Sequence, residues 1–171
     1  LYVAHEKHDG YLRDGCVWKE DINIYDKMAG TIRYANGVHV AYSLTTYSPY
    51  EGYRIAFNGT KGRIDAWIEE SNPIQEKNYE EVVVTKNFGT REFIRVPQGN
   101  SGHGGGDKLL KDKIFGGVTE DPLNQSASVR DGAFSILVGI AARKSCETGK
   151  AVKISELTSL EPGKKRQFVN G

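Results

Sequence analysis

The sequence is poor in cysteine, has no long apolar run and carries no excess of charge of either sign. Cys16 and Cys146 are the only cysteines in 171 residues, which excludes a disulfide framework and a four-thiolate metal site, so we expect two free thiols. The 23 basic and 22 acidic side chains give no electrostatic reason to expect nucleic acid or a membrane as a partner. No apolar stretch approaches the ~18 residues of a membrane span. A composition of 38% hydrophobic and 26% charged residues is typical of a soluble globular protein.

The chain length fits one domain, and we expect residues 1–171 to form it. The first residues lack the basic and then apolar pattern of a signal peptide. The chain opens at Leu1 rather than at a methionine, so we expect it to be a piece of a longer protein. The cytoplasm is the favoured compartment and the periplasm is the alternative.

Three pairs of β-rich segments are joined by short turn sequences. Asn36-Gly37 in the first link is typical of a type I′ hairpin turn. Short links force antiparallel pairing, and Asp21–Asp26 alternates polar and apolar residues as a strand entry should. We therefore predict an α+β fold with an open, largely antiparallel sheet of six or more strands, including Thr31–Ala35, Val38–Leu44, Tyr53–Phe57, Arg63–Trp67, Glu80–Lys86 and Arg91–Val96.

Two helices follow the predicted strands. A short basic helix is expected over Lys108–Phe115, and a long one begins at Ser128, whose spacing to Asp131 resembles a capping box. Gly149 is placed to end the long helix, and 151–154 is predicted to be a closing strand. These helices are expected to pack on one face of the sheet. The other face is left for solvent, a ligand or a partner.

The segment 99–107 has five glycines in nine residues and carries His103 and Asp107. Glycines allow the backbone to approach a polar ligand closely, so both side chains are candidates for a binding site. The alternative is that the loop is only a connector and Asp107 only caps the helix that follows. The segment His5–Asp9 also gathers polar residues, but His5 and His8 are three residues apart rather than four, so we expect no metal site.

A second candidate wall lies at 47–52, where Pro49 and Gly52 interrupt the sheet and two phenols accompany a carboxylate. We take Tyr50 and Glu51 as site candidates there. Tyr25, near the end of the predicted strand entry, could face a pocket and is a further site candidate.

Three stretches are similar to the C-terminal domain of the Gfo/Idh/MocA oxidoreductases, the glucose-fructose oxidoreductase and inositol dehydrogenase group. They are 50–52 leading into 57–63, the run 103–107, and the helix and following residues over 142–152. The resemblance covers about residues 21–157.

The resemblance implies an N-terminal Rossmann domain that binds NAD or NADP, and a C-terminal half that completes a sugar or polyol pocket and carries oligomer contacts. In this chain a Gly-x-Gly-x-x-Gly motif, the family's Glu-Lys-Pro motif and its Asp-x-x-x-His pair are all absent. The cofactor domain is therefore missing from this chain, the isolated chain is expected to bind no cofactor and to be inactive, and no catalytic residue is assigned. His103, Asp107, Tyr50, Glu51 and Tyr25 are the expected substrate-binding residues, and a homo-oligomer through the open sheet face is the expected assembly.

Two alternative functions stay open. One is the same domain in an NAD-dependent glycosidase of the superfamily. The other is a stand-alone binding or assembly domain without chemistry.

Overall fold

The computed structural model describes residues 2–71, 77–99 and 102–161. Two compact units cover the chain, residues 1–48 and residues 49–171. Each unit is described by itself.

The first unit contains a short helix and a two-stranded sheet. Helix α1 spans Glu6–Asp9, and strands β1 (Lys27–Arg33) and β2 (His39–Thr45) pair antiparallel, with Gly30 opposite Tyr42. The segment 21–26, predicted to enter a strand, is irregular, because β1 begins at Lys27. Tyr25 therefore precedes the sheet.

The β1–β2 hairpin turns differently from the prediction. Type I′ requires positive φ at both central residues, but only Gly37 has it, with φ 88°. The amide of Gly37 donates to Tyr34 O at 3.0 Å, and Asn36 Oδ1 accepts from the amide of Val38 at 3.1 Å. The connection is therefore a three-residue loop with Gly37 in the left-handed position, and the type I′ prediction was wrong.

The second unit contains a four-stranded antiparallel sheet in chain order. Its strands are β3 (Glu51–Gly59), β4 (Gly62–Ser71), β5 (Tyr79–Lys86) and β6 (Arg91–Pro97). All six predicted strands are present in the part of the chain that is described, and the α+β class is confirmed. The single sheet of six or more strands was wrong, since the strands form one sheet of two and one of four.

Side chains alternate between two different faces of the four-stranded sheet. The register places Arg54 opposite Trp67, Trp67 opposite Glu81, and Glu81 opposite Arg95. Opposed residues share a face, so this row belongs to a charged face that also carries Asp65, Val83 and Phe93. The apolar face carries the intervening residues Tyr53, Ile55, Phe57, Ile64, Ala66, Ile68, Val82, Val84, Ile94 and Val96.

Two helices and two 3₁₀ turns follow the sheet. The elements are a 3₁₀ turn at His103–Gly105, α2 (Gly106–Phe115), α3 (Val129–Thr148) and a 3₁₀ turn at Ile154–Glu156. The capping box at Ser128 and Asp131 is confirmed, as is the left-handed Gly149 after α3. The closing strand predicted at 151–154 was wrong, because the chain there leads into the second 3₁₀ turn.

Apolar burial is slight in the described residues, where Ala141 on α3, at 8% exposure, is the one buried apolar residue. The side chains of β5 are half-buried along most of the strand. The main contacts of α2 and α3 with other elements are with the adjacent 3₁₀ turns, so helix packing on one sheet face stays a prediction. None of the described helices is long and apolar enough to cross a membrane.

Candidate functional site

The glycine loop reverses direction through three successive left-handed residues. His103, Gly104 and Gly105 have φ values of 50°, 63° and 99°. A left-handed non-glycine residue costs of order 1–3 kcal/mol and is often found where function demands it. The loop also folds tightly on itself, since a β-carbon at Gly99 would lie 2.5 Å from the carbonyl oxygen of Gly104. The backbone conformation around His103 therefore depends on glycine at neighbouring positions of the loop.

His103 and Asp107 are brought together by this turn. Nδ1 of His103 lies 2.9 Å from Oδ1 of Asp107, four residues later. The carboxylate is in the first turn of α2, where the helix dipole favours a negative charge. The N-cap residue of α2 is Gly105, which has no side chain to cap the helix. Among the described residues, the Asp107 carboxylate contacts the imidazole of His103.

The imidazole is the exposed partner of this pair. The side chain of His103 is 85% exposed and that of Asp107 is 45% exposed. Because Nδ1 is engaged, Nε2 is the ring nitrogen free to meet a ligand. The pair therefore offers a ligand one polar atom in a fixed position at the surface, Nε2 of His103.

Tyr50 and Glu51 lie at the start of the four-stranded sheet. Tyr50 is half-buried, and its ring centroid lies 6.3 Å from that of Trp67 in a tilted arrangement. Glu51 is exposed and opens β3 beside a register shift at Gly52. No hydrogen bond or ring contact in the described part of the chain joins these two residues to His103 or Asp107.

Trp67 is the centre of a cluster that the sequence analysis did not identify. The guanidinium carbon of Arg54 lies 4.1 Å from the centroid of the Trp67 ring, and Nζ of Lys77 lies 5.1 Å from it. Lys77 also contacts Oε2 of Glu69 at 3.2 Å, and the Glu69 side chain is only 8% exposed. Period-two alternation along β4 could have placed Trp67 and Glu69 on one face, but Arg54 comes from the neighbouring strand and depends on the register.

A groove of about 620 Å³ runs across β3, β4 and β5 beside this cluster, with Arg54, Trp67, Lys77 and Tyr79 among its lining residues. Further along β4, Arg63 donates to Asp65 through Nε and Nη2 and to Asn58 through Nη1. Hydrogen bonding to Arg63 lowers the pKa of the Asp65 carboxyl. The guanidinium of Arg63 is thus committed to neighbours on its own face.

Tyr25 belongs to the first unit, where its side chain is 46% exposed. In the same unit, the Trp18 and Tyr47 rings stack at 5.5 Å with an interplanar angle of 13°. Tyr25 is therefore available at the surface of its own unit.

The described residues offer no group of three or more His, Cys, Asp or Glu side chains that could hold a metal ion. His5 and His8 lie with ring centroids 6.4 Å apart. A dinucleotide needs a glycine turn between a parallel strand and a helix. The run 102–106 instead follows the edge strand β6 of an antiparallel sheet and contains three left-handed residues. These residues do not fit NAD(P).

Comparisons with known proteins agree with the C-terminal-domain resemblance. Residues 4–154 match the family described as "Oxidoreductase family, C-terminal alpha/beta domain". A Bacillus subtilis (strain 168) protein named "Putative oxidoreductase YteT" is 34% identical over 171 residues, which cover 94% of this chain. The chain spans 37% of the length of that relative. No solved structure matches the chain. The chain belongs to the Gfo/Idh/MocA oxidoreductase family, and the part of the family that it matches is the C-terminal domain.

Proposed function

We propose that this chain is the substrate-binding and oligomerisation domain of an NAD(P)-dependent oxidoreductase that acts on sugars or polyols. The observation that supports it best is the paired His103 and Asp107 on the strained glycine loop. Hydroxyl groups both donate and accept, so a site for them needs fixed polar partners. A polar contact that becomes buried when the substrate binds can discriminate strongly between substrates that have and lack the hydroxyl.

Within this proposal, His103 contacts a substrate hydroxyl, and Tyr50 and Glu51 of the same unit are further wall residues. Tyr25 is a separate candidate for a substrate contact on the surface of its own unit. Each carries a hydroxyl or a carboxylate and each has an exposed or half-exposed side chain. NAD or NADP is bound by a Rossmann domain outside this chain. The principal catalytic groups lie there as well.

The charged face is the proposed surface for self-association. Arg54 and Arg95 are each held against an aromatic ring, on Trp67 and Tyr79 respectively, and neither forms an ion pair with a described residue. Glu81 lies between them in the cross-strand row. A second copy stacked on this face would offer Glu81 to the unpaired guanidinium groups. Such complementarity is a common basis for two-fold assembly.

The test uses the full-length protein with NAD or NADP and a panel of neutral sugars and polyols. Formation of reduced nicotinamide supports the proposal, and we expect His103→Gln to lower kcat/KM. His39→Gln is the matched control, because His39 is an exposed residue on β2 of the first unit. Release of reducing sugar from a glycoside without net reduced nicotinamide would favour the glycosidase. Neither activity across the panel would favour a binding or assembly domain.

A further inference from the structure

We propose that Asp107 fixes His103 in the Nδ1-protonated tautomer, so that Nε2 accepts a hydrogen bond from a neutral hydroxyl of the ligand. This inference deepens the proposed function and rests on it for the identity of the ligand class. Asp107 acts here as a positioning residue, and His103 makes the contact.

The tautomer follows from the donor inventory of the pair. An ionised carboxylate can only accept hydrogen bonds, and a neutral imidazole has one donor and one acceptor nitrogen. With Nδ1 of His103 at 2.9 Å from Oδ1 of Asp107, the proton must reside on Nδ1. Nε2 then carries the lone pair. Free histidine in water prefers the opposite tautomer, so the carboxylate imposes the less common form.

The loop geometry holds this arrangement in place. The left-handed φ of His103 and the two left-handed glycines after it direct the chain back into α2. Gly102 leaves room for Oδ2 of Asp107, because a β-carbon at residue 102 would overlap that atom. The backbone amides of Gly105 and Asp107 both donate to the carbonyl of Gly102, at 3.2 and 3.4 Å. Both side chains are thus tied to one short backbone segment.

An acceptor at Nε2 selects the chemistry of the ligand. A hydroxyl can donate a hydrogen bond to the lone pair of Nε2. An ionised carboxylate or phosphate oxygen has no proton to donate, so its lone pairs and that of Nε2 would repel each other. The nearby Asp107 charge adds repulsion against an anion. The loop therefore recognises a neutral polyol or sugar hydroxyl, not an acidic group.

The first experiment measures the tautomer directly. In full-length protein labelled with ¹⁵N at histidine, long-range ¹H–¹⁵N spectra in mildly alkaline buffer distinguish a protonated from an unprotonated ring nitrogen, and His103→Asn identifies the signals. We expect a protonated Nδ1 and an unprotonated Nε2 in the wild type, with reversal in Asp107→Ala. A wild type with the proton on Nε2, or an Asp107→Ala variant with an unchanged pattern, would overturn the proposal.

The second experiment separates the contact from a structural role. A glutamine at residue 103 can place its amide oxygen near the Nε2 position, whereas an asparagine reaches only the Nδ1 position. Asparagine, however, tolerates a left-handed backbone better, so it should be the more stable variant. With a substrate from the polyol panel, we expect His103→Gln to retain roughly five- to tenfold more kcat/KM than His103→Asn, the size of one hydrogen bond. If the more stable variant, His103→Asn, has the higher kcat/KM, the proposed contact at Nε2 is wrong.

The two experiments also distinguish this inference from the proposed function. The labelled-histidine spectra need no turnover, so the expected tautomer in a protein inactive on the panel would contradict only the proposed function. Oxidation of a neutral polyol by a protein with the opposite tautomer would contradict only the inference.

Discussion

Gly102 leaves the space that the Asp107 carboxylate occupies, since a β-carbon at residue 102 would overlap Oδ2 of Asp107. The Gly102→Ala change should therefore displace the carboxylate from His103 and release the ring. We expect histidine spectra like those of Asp107→Ala and a fall in kcat/KM with neutral polyols. Gly106→Ala is the matched control, because a β-carbon at residue 106 would meet nothing within 4 Å. Equal effects from both substitutions would show that the fit at residue 102 is unimportant.

The capping box of α3 gives a stability prediction. Ser128 Oγ accepts from the amide of Asp131 at 3.3 Å, while Oδ2 of Asp131 accepts from the amide of Ser128 at 2.7 Å. Ser128→Ala removes the first of these bonds and should lower the free energy of unfolding by about 1 kcal/mol. Urea unfolding measures the change. The same substitution at Ser135, an exposed interior position of α3, should be neutral or slightly stabilising because alanine has the higher helix propensity.

Asp121 makes stability depend on acid pH. Hydrogen bonds from the side chain and amide of Ser126 and from the amide of Gln125 hold the pKa of the Asp121 carboxyl well below its ordinary range. Because the folded pKa is lower than the unfolded one, the stabilisation is complete above the unfolded value near ~4 and is lost as the pH falls further. The stability difference between wild type and Asp121→Asn should therefore shrink on acidification. Urea midpoints in neutral and acidic buffer test this, with Glu120→Gln at the adjacent exposed residue as the control.

Two phenylalanines of the β5–β6 hairpin test whether the charged face is the surface for self-association. Phe93 lies on the charged face and is 61% exposed, whereas Phe88 at the β5–β6 turn is fully exposed. Phe93→Asp should weaken association by placing a charge at the centre of the contact, and Phe88→Asp should leave it unchanged. Sedimentation equilibrium of the full-length protein measures both. An oligomer that survives Phe93→Asp unaltered would place the interface elsewhere.

The isolated chain should not bind NAD(P), because its glycine run follows an antiparallel edge strand and has the wrong spacing to hold a pyrophosphate. Calorimetric titration of the 171-residue chain with NADH is expected to give no heat of binding. The full-length protein under the same conditions is the positive control. Micromolar binding by the isolated chain would contradict the assignment of the cofactor to another domain.

The sequence predicted local features better than pairings between distant segments. Ser128, Asp131 and Gly149 were found because a cap depends on residues a few positions apart. The 3₁₀ turn at Ile154–Glu156 was missed because a short alternating run resembles a strand whether or not a partner strand lies beside it. The division into two sheets was also missed, because no short sequence pattern shows whether β2 and β3 pair with each other.

The candidate site shows the same division. The pairing of His103 with Asp107 could be predicted as a hypothesis from their spacing on a glycine-rich loop. The cluster around Trp67 could not be predicted in this way. Arg54 reaches Trp67 only through the register of β3 on β4, and Lys77, which approaches the same ring, lies just before β5. Tyr25 was chosen because it lies in an alternating segment that resembles the start of a strand, and its place in a separate unit depends on contacts that no short pattern specifies.

The left-handed backbone at residue 103 also limits which residues can replace His103. Two independent requirements meet there: tolerance of a φ of 50° and an acceptor atom at the distance of Nε2. Asparagine, aspartate and glycine satisfy the first requirement, while glutamine satisfies only the second. Histidine satisfies both, and no single-nucleotide path leads to another residue that does. In a library of all substitutions at residue 103, folded protein should be recovered most often with glycine or asparagine, whereas turnover should be highest with histidine and next highest with glutamine.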